Sequence, residues 1–70
     1  MLPKPQPHSP VRTARLRAGL TQVQLSARSG VSVVVIGMAE RWQAVTLRTA
    51  ERLAPVLGVQ AADLMPRGRR

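Results

Sequence analysis

The sequence predicts an all-α fold, a small five-helix bundle, on three observations. Small polar residues suited to capping a helix (Ser9, Thr21, Ser32, Thr46) and glycines suited to ending one (Gly19, Gly30, Gly58) punctuate the chain at short intervals. Between them apolar residues recur three and four positions apart, most clearly Leu47, Ala50, Leu53, Ala54 and Leu57. No stretch alternates apolar and polar residues for long. The run Val33-Val34-Val35-Ile36 is strand-prone by composition, but it lies between a cap and Glu40-Arg41 with no second strand to pair.

Taken in order, residues 1–9 carry prolines at 3, 5 and 7, which exclude helix and favour an extended arm. That arm is either a disordered leader or a strap touching a partner through Lys4. Ser9-Pro10 reads as an N-cap with proline in the first turn, opening a domain over residues 10–65. Val11, Ala14 and Ala18 follow at helical spacing, and Gly19 supplies the stop. Thr21 with Gln24 forms a capping box for the second helix, whose clearest core residue is Leu25 and whose end is Gly30. Ser32 caps a third helix reaching about Arg41. Thr46 caps a fourth that ends at Gly58, with Pro55 inside it expected to bend or interrupt it. A last turn from Ala61 to Met65 buries Leu64 and stops at Pro66, where a basic tail, 66–70, begins.

Seventy residues allow one domain with a small core, and without cysteine no disulfide or thiolate metal site supports it. Eleven basic residues against three acidic ones leave +8, a balance that favours a polyanionic partner through release of its counterions. A membrane-surface peptide would gather its basic residues behind one apolar stripe, whereas here they are scattered. No apolar run approaches the roughly 20 residues of a membrane span, and the N-terminus lacks the apolar stretch of a signal peptide. A cytoplasmic protein without a membrane partner is expected. Catalysis lacks materials. His8 stands alone in the proline-rich arm, the three acids are far apart, and no cluster has metal-ligand spacing. No enzyme activity, metal or cofactor is expected, and one aromatic residue in total excludes an RNA-stacking sheet.

The most specific motif is Gly19-Leu20-Thr21-Gln22, Leu25, Gly30-Val31-Ser32, Ile36 and Glu40, together with Arg15. In that spacing the chain resembles the phage-repressor/Cro-type helix-turn-helix proteins, the XRE family, over roughly residues 11–65. The resemblance implies a lambda-repressor-like domain whose third helix, 32–41, enters the DNA major groove. It implies that Arg15 and Glu40 form a structural pair joining the first helix to the end of the third. It also implies that Gln22 meets the DNA backbone, although a polar residue filling an exposed first turn is an equal alternative. Ser32, Val33, Val34, Gly37 and Met38 correspond to positions that face the groove. Relatives commonly bind palindromic sites as homodimers.

Three departures qualify the match. Base edges are read mainly through hydrogen bonds, yet only Ser32 among those groove positions carries a hydrogen-bonding side chain. The third helix therefore either approaches bases weakly, with affinity resting largely on phosphates and shape, or is turned to a protein partner. Ala39 stands where a larger apolar residue is usual, and Trp42 replaces a common glycine. Trp42 is expected to fold back into the core to fill the space at Ala39. The loop after Glu40 is shorter than usual and lacks its frequent proline. The tail Pro66-Arg67-Gly68-Arg69-Arg70 resembles the core of an AT-hook, with a plain basic tail as the alternative.

The reading is a transcriptional regulator, a repressor, bound to double-stranded DNA. Gln22, Ser32 and Arg41 would hold phosphates; Val33, Val34 and Gly37 would approach bases. Arg28, Arg67, Arg69 and Arg70 would add sequence-independent attraction. The rival is a protein-interaction or antitoxin-like module using the apolar third helix.

Overall fold

Each helix begins where a side-chain oxygen can take up a loose backbone N–H. The computed structural model describes residues 9–65 and gives α1 Pro10–Arg17, α2 Gln22–Ser29, α3 Val33–Trp42, α4 Leu47–Leu57 and α5 Ala61–Leu64, with no strand among the described residues. The Ser9 hydroxyl accepts from Arg12 N at 3.1 Å, Thr21 from Gln24 N at 3.0 Å, Ser32 from Val35 N at 3.1 Å and Thr46 from Thr49 N at 3.1 Å. Thr21 N in turn donates to Gln24 Oε1 at 2.9 Å, completing the capping box. All four expected caps are in place. A fifth, unforeseen, opens α5, where Gln60 N donates to Asp63 Oδ2 at 3.1 Å.

The helices close over one apolar centre. Val11 of α1, Leu25 of α2, Ile36 and Ala39 of α3, Leu53 of α4 and Leu64 of α5 are fully covered or nearly so. Each of these side chains except the small Ala39 contributes about 1.5–3 kcal/mol by leaving water. α4 lies against α2 and α5, α1 against α5 and α3, and α3 chiefly against α1 and α2. One long face of α3 is consequently left uncovered. No helix among the described residues is long and apolar enough to cross a membrane.

One expectation fails, and so does half of another. Pro55 does not interrupt its helix, since α4 runs unbroken from Leu47 to Leu57. Its missing N–H would have bonded the carbonyl of Glu51, an exposed residue whose oxygen water can reach, so the loss is cheap there. Trp42 does not enter the core; it is 64% exposed, while Ala39 is fully covered without it. Ala39 is already covered by other side chains, and the Trp42 ring, at the last position of α3, lies instead beside Arg41, whose guanidinium carbon is 5.1 Å from the ring centre. With tryptophan rather than glycine here, α3 continues through position 42, and Gln43 takes the left-handed conformation, φ 56°, that ends it. The proline-rich arm with Lys4 and His8, and the tail arginines Arg67, Arg69 and Arg70, lie outside the described residues.

Candidate nucleic-acid interface

The site is built by the short connection between α2 and α3. α2 stops at Gly30, whose N–H donates to Ser26 O at 3.0 Å and whose φ of 78° is a conformation only glycine adopts without strain. Val31 is buried just after it, and its N–H donates to Ser29 Oγ at 3.1 Å. Ser32 then starts α3. Three residues thus join the two helices, and α3 buries Ile36, Ala39 and Glu40 while leaving Val33, Val34 and Met38 exposed.

Beneath α3 sits a polar clamp. Arg15 grips Glu40 with two parallel hydrogen bonds, Nε to Oε2 at 2.6 Å and Nη2 to Oε1 at 3.0 Å, and both side chains are almost wholly buried. Such a fork is the strongest arrangement available to this pair. The remaining Arg15 nitrogen, Nη1, donates to Leu20 O at 2.9 Å, so α1, the α1–α2 turn and α3 are fixed to one another. Gln22 joins the clamp, Nε2 donating to Glu40 Oε1 at 3.1 Å, and Arg12 Nη1 approaches the same oxygen at 3.7 Å. Burial alone would raise the pKa of Glu40. The hydrogen bonds from Arg15 and Gln22, with the charges of Arg15 and Arg12, outweigh it and leave the carboxylate below its usual range.

Gln22 is therefore neither free filler nor wholly committed. One amide N–H is held by Glu40, which fixes the side chain's direction, and the other points away from that bond. Ser32 is exposed, with its oxygen engaged by Val35 N and its hydroxyl proton still available. Arg28 and Arg41 are exposed. Along the outer face of α3, Val34 is 70% exposed, with Val33 at 38% and Met38 at 36%. Gly37 differs from its neighbours in being covered. A Cβ built on it would lie 3.7 Å from Arg41 Nη2, so the Arg41 side chain lies back along the helix over the bare backbone at Gly37. Helical side chains lean toward the N-terminus, which brings position 41 over position 37. The guanidinium carbon of Arg41 is also 5.1 Å from the Trp42 ring centre, within cation–π range. Gly37 thus meets a ligand only after Arg41 moves aside.

That glycine makes a direct test of the helix. Since 3.7 Å is ordinary contact and the backbone there is not left-handed, a methyl fits without displacement. Gly37→Ala should stabilise the domain by about 0.5–1 kcal/mol through lost unfolded-state freedom, read as a higher midpoint in urea. A lower midpoint would mean that Arg41 cannot yield.

Sequence reasoning did not find the links from Gln22 and Arg12 to Glu40. A signal was available. Glu40 is the only acid before position 51, and Arg12 and Arg15 share one face of α1.

Two packed helices joined by a glycine turn, with the second facing outward, define the helix-turn-helix class of DNA-binding regulatory domains. The family model described as helix-turn-helix matches residues 11–64, nearly the whole described chain. This chain belongs to that family, the XRE group of Cro/repressor-type proteins. Neither a curated protein nor a solved structure matches it.

Proposed function

We propose that the protein is a transcriptional repressor that lays α3 in the major groove of double-stranded DNA and draws most of its affinity from phosphates. The observation that carries this reading is the distribution of charge around the outward helix. From Gln22 to Trp42 the exposed ionic groups are Arg28 and Arg41, and the one acid of that stretch, Glu40, is buried against Arg15. The exposed acids of the described chain, Glu51 and Asp63, belong to α4 and α5. A polyanion approaching α2 and α3 therefore meets cations and helix N-termini with no opposing charge.

In this arrangement Gln22 and Ser32, each at the start of a helix, donate to phosphates beside α3, and Arg41 reaches a phosphate at its far end. Val33, Val34 and Met38 lie toward the bases. Arg28 and the tail arginines Arg67, Arg69 and Arg70 add attraction that carries no sequence information. A homodimer would place two copies of α3 about 34 Å apart on one side of the duplex, which converts two short contacts into useful affinity. The protein would act in the cytoplasm, without enzyme activity.

The test is duplex binding followed by fluorescence anisotropy as salt is raised from about 50 to about 200 mM. Affinity should fall steeply, with log K against log salt sloping by about −0.9 for each phosphate neutralised. Arg28→Ala should reduce that slope by about one contact's worth, and so should each tail substitution. Gln22→Ala should weaken binding several-fold and leave the slope unchanged, because an uncharged donor releases no counterion. Binding indifferent to salt and to all these substitutions would transfer the function to a protein partner.

A further inference from the structure

The centre of the outward face of α3 carries methyl groups where polar side chains would read base edges. Val34 and Met38 stand one turn apart in the middle of that face, Val33 flanks them, and one turn beyond Val33, at Gly37, the helix has no side chain at all. We infer that α3 recognises the 5-methyl group of thymine, so that Val33, Val34 and Met38 select thymine-containing half-sites by apolar contact rather than by hydrogen bonding. This rests on the DNA-binding reading and adds to it the chemistry that is read.

Three features favour it. The thymine methyl is the only apolar group that the major groove displays in unmodified DNA, so an apolar helix face has one complementary partner there. Valine in a helix is held almost entirely in one χ1 rotamer, so Val33 and Val34 lose little side-chain freedom on contact. Arg28 of α2 and Arg41 of α3 are exposed and no exposed acid lies on either helix, which suits a polyanion better than a protein groove. Gly37 adds reach. Once Arg41 swings from it to a phosphate, nothing taller than backbone stands between Val33 and Arg41 on that ridge, and the helix can approach the groove floor closely.

Duplexes enriched by the intact protein from a random pool supply the probe, and each thymine in them is then replaced by deoxyuridine, which lacks only the methyl. Affinity should fall about fourfold at each contacted thymine, the equivalent of ~0.8 kcal/mol for one buried methyl. Replacement by 5-bromouracil, whose bromine is similar to a methyl in size, should restore it. Val34→Ser, a change at an exposed position, should remove much of the thymine–uracil difference while preserving both the fold by circular dichroism and the salt slope. Binding that keeps its affinity in every uracil-substituted duplex overturns the inference and spares the DNA-binding reading. So does discrimination that persists undiminished in Val34→Ser. Failure of any duplex to be enriched overturns both.

Discussion

Glu40→Ala should remove a large share of the domain's stability at room temperature. A chain of 70 residues has roughly 4–10 kcal/mol of stability in total. Removing one member of a buried, hydrogen-bonded ion pair costs about 3–5 kcal/mol, because the other charge stays behind without a partner. Here the stranded group would be Arg15, whose guanidinium is nearly inaccessible and whose Nη1 is the only donor with another acceptor, Leu20 O. Gln22 would lose its tether at the same moment. Far-UV circular dichroism in urea reads the result as a midpoint moved well toward zero denaturant. The penalty belongs to the broken pair and not to the missing charge. Replacing both partners, Arg15→Met with Glu40→Leu, should recover most of the lost stability, so that the double loss is much smaller than the sum of the two single losses. Strict additivity of the two single losses would show that the residues do not act as a pair.

The same pair sets the acid limit of the fold. The pKa of Glu40 is lower in the folded protein than its ordinary value of 4.5. A carboxyl depressed by folding lends stability that is fully present above that ordinary value, then drains as pH falls through the folded one. The wild-type protein should therefore lose stability progressively below about pH 4.5. Glu40→Gln, weaker at neutral pH, should show a flatter profile over that acid window. Parallel profiles would place the acid-sensitive group elsewhere.

The parts of this structure that sequence alone discloses are those set by local spacing. Ser9, Thr21, Ser32 and Thr46 cap their helices because each needs only an N–H three residues ahead. Gly30 ends α2 because few other residues tolerate its backbone angle. The pairing of Arg15 with Glu40 spans 25 positions, and no periodicity reports it; family resemblance alone pointed there. The bond from Gln22 to Glu40 spans 18 positions and escaped even that. Trp42 misled for a related reason. A lone aromatic suggests a core residue by type, yet Ala39 is covered without it, and α3 runs one residue further than its motif implied, which leaves the ring at the helix end. At the interface, the exposure of Val34 and Met38 follows from helical period, whereas the folding of Arg41 over Gly37 depends on a side-chain path that spacing does not encode.

Ile36→Ala should be the most damaging change among the apolar residues of α3, although it lies on the side away from any ligand. Ile36 is fully covered, in the layer formed with Val11, Leu25 and Leu53 from three other helices. Truncation removes three carbons and leaves a cavity that this small core can only partly close, at a cost of about 2–5 kcal/mol. Alanine's better helix propensity returns only about 0.4 kcal/mol, too little to alter the sign. In a domain this size each kcal/mol moves the melting temperature by about 4–8 °C, so a drop of at least about 10 °C is expected in a thermal melt. Val34→Ala offers the opposite result on the same helix. That side chain is 70% exposed, so the melting temperature should hold or rise slightly while duplex affinity falls. Together the two substitutions separate the face of α3 that holds the bundle together from the face offered to DNA. Were Val34→Ala to lower the melting temperature as far as Ile36→Ala does, the outward face would be part of a packed interface, and α3 would be unavailable to a groove.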